Sequence, residues 1–507
     1  MSSNAPAPAT PDASQSQPQP QPTDPAPAPA PAPEVSSHST ALATLLALLH
    51  TPGTMPAQLL TTLKALPARD AVLAAPPPAG AEDALRPGVL DVAREDGAGG
   101  VGGLFILSAR LSGGSTQEVP LEWIEEFCRR VSPVQLRFAP ERVTLLAKGI
   151  VQYAEARNNL KIAIPSLYDL ITRFPPTRSL LTPLHPIFLT TCLTTSHFAP
   201  ALPILAVPIT QITPALTPDL TYLDHLVYHY TGGCVLAALR RFAEAHEFWE
   251  TVVGAPVAPR GLVAGGAGAG VGGAGGAGAG AGPRVESTGE PSALQMEAAK
   301  KLLVVQLILH GKGQALPKYT PAAVAGVRSS PYGAFVKAYP RQVDVLRNVL
   351  SKHGAVFAAD NNTGLLKQAL ARAPRWAIKK LTETYLTLGL GEIGREVGME
   401  DVGEVRRVVL SMIEHGEINA SIAADGTVTF ADDAPPAVGK AEVERVLRAA
   451  QEQEHVLREL EREMARSREY LAKAVRSRED PAAWAGPEEE MGGAQGGVGM
   501  WTEESVF

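Results

Sequence analysis

Between Gly364 and Phe430 the apolar residues change period, from the spacing of a helix to the alternation of a strand. Ala377, Leu381, Tyr385 and Leu388 make one helical stripe. Ile393 and Val397 carry a short second helix that stops at Gly398, a residue suited to a left-handed cap. Val402, Val405, Val409 and Met412 form a third stripe. Ile418, Ala420 and Ile422 then alternate with polar neighbours, Asp425-Gly426 signals a tight turn, and Val428 and Phe430 alternate on the return. Three small helices followed by a two-stranded wing define a winged helix. The sequence on either side decides whether such a unit reads nucleic acid or holds a partner.

The net charge of −7 gives no global attraction to a polyanion. The third helix begins with Glu400 and Asp401 and includes Glu404 ahead of Arg406 and Arg407, the wrong sign for phosphates or base edges. Protein binding is therefore the better use of the wing. Its edge, built from Ile418, Ala420, Ile422, Val428 and Phe430, is where a strand from another chain would add. An edge left to solvent is the plain alternative.

Upstream, Met1 to about Pro33 is Ala-Pro and Gln-Pro repeat, and residues 1–38 read as a disordered Pro-rich tail, without the apolar content that ordering needs. Thr40 is placed to cap a helix through Leu42, Leu45, Leu46 and Leu49. Three breaks interrupt the helical pattern of residues 39–120: Pro76 to Pro78, Pro87-Gly88 and the glycines from Gly97 to Gly103. Beyond Leu121 the pattern is helical and repeats. Leu160 with Ala163, Phe198 with Ala201 and Phe242 with Ala245 carry one local code at a helix-pair period. Each is read as the junction of two antiparallel helices, the alanine allowing close approach. In the best copy Tyr222, Leu226, Tyr230 and Val235 line one helix, and Phe242, Phe248 and Val252 the next, a hairpin of tetratricopeptide type. Such hairpins bury their faces only against neighbours, so they stack as a solenoid over residues 121–350. The run 261–282 is nearly pure Gly and Ala and lacks the lysine of a phosphate loop, so it reads as a flexible insertion. Ser292 with Gln295 then forms a capping box for a helix carrying Leu302, Val305 and Ile308.

Downstream of the winged helix (351–432), residues 433–478 read as one long helix. Val443, Ala450, Leu457, Met464 and Leu471 fall seven apart. Val446, Gln453, Leu460, Ser467 and Ala474 make the second heptad position. Val443, Val446, Leu457, Leu460, Met464 and Leu471 are the apolar contacts it offers for bundling with other chains; a solvated helix laced with charge pairs is the plainer reading. Residues 479–507 read as a disordered Gly- and Glu-rich tail whose Trp501 and Phe507 are possible anchors.

Chemistry is not signalled. His225 and His229 lie four apart on one helix, the spacing of two zinc ligands, but Leu226 stands where a metalloprotease needs glutamate. Packing is their default reading. Cys128, Cys192 and Cys234 match neither a disulfide framework nor a zinc pattern and read as small buried apolar residues of a reducing compartment. The most apolar window, Leu184 to Ile209, is broken by Pro186, Pro200, Pro203 and Pro208 and cannot span a membrane. With no basic region followed by an apolar run at its start, the chain is expected to be soluble and intracellular. No catalytic residue, metal or cofactor is assigned.

The order of helical repeats, winged helix and heptad helix resembles the PCI-domain scaffold subunits shared by the proteasome lid, the eukaryotic initiation factor three complex and the COP-nine signalosome. The local sequences are most similar to the signalosome's third-subunit family. The residues that carry it are Tyr230 to Gly233 with Phe242 and Ala245, Lys300 to Gly313, Leu316 to Thr320, Asp360 to Gln368, Leu381 to Leu390 and the wing from Met412 to Phe430. It covers about Leu121 to Asp432; the Pro-rich start, the Gly insertion, Gly394 and Gly398 depart from it. The resemblance implies a mostly α protein: a tetratricopeptide-like solenoid, a winged-helix PCI domain and a long C-terminal helix. It implies wings joined edge to edge in an arc and terminal helices joined in a bundle. The complex it implies removes a ubiquitin-like modifier from cullins with a zinc metalloprotease housed in another subunit. This chain would be a non-enzymatic scaffold in cytoplasm and nucleus. Its partners would be other PCI subunits and that metalloprotease subunit, with cullin-based ligases met indirectly and neither membrane nor nucleic acid. A PCI scaffold of the proteasome lid or an initiation factor, or a winged-helix nucleic-acid binder, stays open as an alternative.

Overall fold

The structure is a computed structural model and describes residues 33–49, 55–76, 99–112, 119–257, 291–317, 320–341, 343–431, 439–468 and 470–472. The expected insertion at 261–282 and tail at 479–507 lie outside those residues.

Helices α1 (Pro33–Leu49), α2 (Pro56–Ala65), α3 (Arg69–Ala74) and α4 (Gly99–Ser112) open the chain. Two expectations fail here. Helix α1 starts upstream of Thr40, which sits inside the helix rather than capping it. The glycines from Gly99 to Gly103 do not break the pattern but begin α4, which is buried almost throughout. The absence of a side chain is what lets this helix sit so deep: a Cβ on Gly100 would lie 2.1 Å from Gln135 Oε1. Tight packing offsets the intrinsic cost of glycine in a helix. Polar ties complete this end. Arg110 donates to the carbonyls of Leu73 and Ala75 at 3.3 and 2.9 Å, serving the open end of α3. Arg142 reaches Asp70 at 2.5 Å across the Phe105 ring.

The array follows as α5 (Leu121–Arg130), α6 (Pro133–Leu136), α7 (Pro140–Ala156), α8 (Ala163–Arg173), α9 (Leu184–Thr194), α10 (Leu202–Leu205), α11 (Tyr222–Ala238), α12 (Phe242–Gly254) and α13 (Ala293–His310). The repeated code lies at the junctions, as its spacing predicts. Ala163, Ala201 and Ala245 are buried at the start of the second helix of three successive pairs. Each first helix ends on a left-handed residue, Asn158, Ser196 or Arg240, with φ of 52°, 56° and 61°. The following amide closes back five residues, Asn159 onto Ala154, His197 onto Cys192 and Arg241 onto Leu236, at 2.9–3.0 Å. These are Schellman turns built without glycine. In the best copy, a Cβ on Gly232 would meet the Phe248 ring at 2.7 Å, and one on Gly233 would meet Trp249 at 2.5 Å. The two glycines bring α12 against α11, and Trp249 is fully buried there, donating to the Tyr230 carbonyl. The Ser292–Gln295 capping box forms at α13, where Leu302, Val305 and Ile308 are buried.

Small helices α14 (Ala322–Ala325), α15 (Pro331–Ala338), α16 (Val343–Lys352) and α17 (Gly354–Ala359) close this end. A buried polar knot ties them to α13. Lys301 donates to Asn362 Oδ1 at 2.7 Å, Asn362 donates to the Tyr332 hydroxyl at 2.9 Å, and that hydroxyl donates to Asp360 at 2.8 Å. Lys300 pairs with Asp360 at 2.8 Å. Desolvation leads the perturbation of Asp360, yet the lysine and tyrosine donors hold its carboxyl below the usual range.

Helix α18 (Thr363–Thr382) then belongs to two cores. Leu366, Ala369 and Ala373 pack into the array, whereas Ala377, Ile378 and Leu381 pack into the winged helix. Pro374 lies between the two sets. Trp376 donates to the Ile308 carbonyl at 3.1 Å and fills the space over Gly311. The wing side holds β1 (Thr387–Gly389), α19 (Leu390–Val397), α20 (Val402–Glu414), β2 (Ala420–Ile422) and β3 (Thr427–Phe430), and α21 (Lys440–Arg466) ends the described elements. The helix expected to run through Tyr385 and Leu388 stops at Thr382. Leu388 instead enters a strand, so the wing is a three-stranded antiparallel sheet in the order β1-β3-β2. No helix among the described residues is long and apolar enough to cross a membrane.

Candidate functional site: the wing edge and the C-terminal helix

The wing is positioned by its own small core. Ile393, Val397, Val405, Val409 and Met412 are buried, and Gly398 ends α19 with φ of 77°. Asp401 caps α20 through the amide of Gly403 at 2.9 Å. Val402, expected on the same stripe, is half exposed because it lies at the first turn, outside that face. Gly426, with φ of 85°, makes the turn, and Asp425 accepts from the Thr427 amide at 2.9 Å. That hydrogen bond holds the Asp425 carboxyl below its ordinary value.

The register shows which backbone groups are free. Asn419 with Ala431, Ser421 with Thr429 and Ala423 with Thr427 face β3. The N–H and C=O of Ala420 and Ile422 therefore point outward along the open side of β2. On the other side Leu386, Leu388 and Leu390 face β3, which leaves Thr387 and Gly389 outward. The Gly389 amide is already taken by Glu392 at 3.2 Å. The β2 side is thus the more open edge. Side chains divide differently from the expectation. Ile418, Val428 and Phe430 are buried in the wing core, and β3 is flanked on both sides, so these three support the edge from within. Ala420 and Ile422 are half-buried and supply the edge itself.

Helix α21 is 27 residues long and none of them is buried. Val443, Val446, Leu457, Leu460 and Met464 are all 44–60 % exposed. Pairs at Glu442–Arg445 and Glu454–Arg458 decorate the polar faces; such exposed pairs contribute only tenths of a kcal/mol each. The continuous helix expected through Ala474 is interrupted. Ser467 is extended and its hydroxyl accepts from the Tyr470 amide at 3.2 Å, capping a new turn that holds Leu471. Ala474 lies outside the described residues.

His225 and His229 stack within the array, with ring centres 4.3 Å apart, and His229 donates to the His225 carbonyl at 3.0 Å. Desolvation lowers both, His229 to about 4, so each is a neutral ring, and His229 also packs near Tyr228 and Phe248. Among the described residues no cluster of three or more His, Cys, Asp or Glu is placed to hold a metal ion. Cys128 and Cys192 are buried and Cys234 half-buried; burial pushes the Cys192 thiol up to about 12.

A helical array that hands its last helix to a three-stranded winged helix is the architecture of the PCI class, and residues 350–432 match the PCI domain profile. Residues 94–260 match the profile described as COP9 signalosome complex subunit 3, N-terminal helical repeats. A Dictyostelium discoideum protein named COP9 signalosome complex subunit 3 is 31% identical over 355 residues, covering 68% of this chain and 75% of the relative. Its Drosophila melanogaster namesake is 27% identical over 410 residues, covering 75% of this chain and 84% of the relative. The chain belongs to the COP9 signalosome subunit 3 family.

Proposed function

We propose that this chain is a non-catalytic scaffold subunit of a signalosome, the complex that removes a ubiquitin-like modifier from cullins. The wing would join a sister PCI subunit through the β2 edge, and α21 would enter a bundle with sister helices. The metalloprotease subunit of the same complex would supply the chemistry, and cullin-based ligases would be met through the assembly. Cytoplasm and nucleus are the compartments this role requires.

The observation that carries this reading is a pair of unsatisfied surfaces, the β2 edge and the α21 stripe. Ala420 and Ile422 offer unpaired backbone groups, and α21 offers an apolar stripe that nothing among the described residues covers. An isolated amphipathic rod is marginal in water, since helical stability comes mostly from packing of the apolar face. Removal of residues 440–474 should release the protein from its complex while the repeat region keeps its helical circular dichroism and its unfolding transition. A complex of unchanged mass after that deletion would remove the bundle role. Modifier release by the purified chain alone would remove the non-catalytic one.

A further inference from the structure

A groove of about 400 Å³ crosses the first helices of three successive pairs of the array, α7, α9 and α11. Val151, Ile187 and Val227 make its apolar floor, Thr190 lies along it, and Lys148 stands at its wall. Lys148 has no ion-pair or hydrogen-bond partner among the described residues. The only carboxylate on the groove, Asp224, is committed to the α11 cap, accepting from the amide and hydroxyl of Thr221 at 2.8 and 2.7 Å. The groove thus combines apolar depth with one unanswered positive charge.

The complementary pattern stands at the end of the same sequence. From Glu479 to Phe507 there are seven acidic residues and no Lys or Arg, so this segment carries the whole net charge of −7. Its last eight residues, Met500 to Phe507, alternate apolar anchors with acids: Met500, Trp501, Glu503, Glu504, Val506 and Phe507. Twenty-eight residues separate Ala472, where the described chain stops, from Trp501. That length reaches at most about 100 Å when extended, enough to travel from α21 back along the array.

We propose that the C-terminal segment Met500–Phe507 docks in the α7–α9–α11 groove of its own chain. Trp501 or Phe507 fills the apolar floor, and Glu503 or Glu504 meets Lys148. Solenoids of helix pairs use surfaces built by successive repeats to hold extended segments. A tethered ligand needs little intrinsic affinity, because its effective concentration is on the order of millimolar.

Zero-length carbodiimide coupling of the full chain, read by peptide mass spectrometry, tests this. It joins a lysine amine to a carboxylate only at ion-pair range. The expected product links Lys148 to Glu503 or Glu504. Mixing isotopically heavy and light chains should show the link within one chain. The yield should fall about tenfold or more in Trp501→Ala/Phe507→Ala, as loss of aromatic anchors does. It should fall similarly in Thr190→Trp, which fills the groove from an exposed position and leaves Lys148 in the sequence. An unchanged thermal melt shows that this variant is folded. A tail linked mainly to Lys379 or Lys380 would overturn the proposal. So would a link formed between chains, or a Lys148 link that survives both variants.

Discussion

Leu457 and Leu460 give the sharpest test of α21, because the isolated chain and the assembled one should answer differently. They are 60% and 44% exposed, and no residue of the helix is buried. Fully burying a leucine contributes about 1.5–3 kcal/mol. Scaled by the exposed share, covering Leu457 is worth about 1–2 kcal/mol and Leu460 about 0.7–1.3 kcal/mol. Truncating both to alanine forfeits most of that, or about 1.5–3 kcal/mol, a roughly ten- to hundredfold loss in affinity for the sister subunits. The isolated chain loses nothing comparable. Alanine is the better helix former and neither site packs on the array, so its stability should move by less than about 0.5 kcal/mol. Urea unfolding of the free double variant, followed by circular dichroism, reads the first quantity. Titration into a sub-complex lacking this subunit reads the second. The reasoning is refuted by the opposite pattern: a lowered urea midpoint in the free chain with unaltered affinity would mean that α21 folds back on its own array.

Acid should destabilise the free chain. The unfolded chain takes protons on histidine near pH 6.5, whereas buried His185 refuses one until about 4. Stability is therefore full above pH 6.5 and is lost as pH falls toward 4, on the order of 3 kcal/mol for this one group. Urea midpoints at pH 7, 5.5 and 4.5 should show the fall, and His185→Gln should flatten it. In the knot around Lys301, Asn362→Ala removes the shortest contact of a buried ammonium, leaving it the Asp360 carbonyl at 3.3 Å and the Glu297 carboxylate at 4.0 Å, and should cost about 1–3 kcal/mol, read by chemical denaturation. Gly333→Ala places a Cβ 1.7 Å from the Arg328 carbonyl oxygen and should cost about 3 kcal/mol or more. Gly326→Ala, which meets nothing within 4 Å, is the control and should leave the melting temperature level or slightly raised.

What could be read ahead of the structure was whatever depends on short-range chemistry. The Ser292–Gln295 capping box, the stop at Gly398 and the Asp425-Gly426 turn each need only a few neighbouring residues, and each forms. The repeated apolar–alanine code located the helix junctions because close approach needs a small residue at that place. Features set by distant partners were hidden. Leu388 keeps helical spacing from Leu381, but β3 recruits it into a strand, and nothing local announces that pairing. The glycines of α4 look like a break until Gln135 is seen against them. The turns at Asn158, Ser196 and Arg240 lack the glycine that normally marks a Schellman end. At the candidate site, alternation identified the wing but not its open side. Only the register separates Ala420 and Ile422, which face outward, from Val428 and Phe430, which serve the core.

Helix α18 has a consequence for how the molecule can be cut and aimed. Leu366 to Ala373 are anchored in one body and Ala377 to Leu381 in the other, and α18 runs through Pro374 as one helix shared by both. The direction in which the wing presents its strand is inherited from the stacking of the repeats, like a tool fixed to its handle. A winged-helix fragment begun at Gly364 would carry half a greasy helix with nothing to lie against, and one begun after Pro374 would lack the Trp376 latch onto Ile308. The smallest portion that can point the edge correctly therefore includes α13, and small changes in repeat curvature will steer the neighbour it receives.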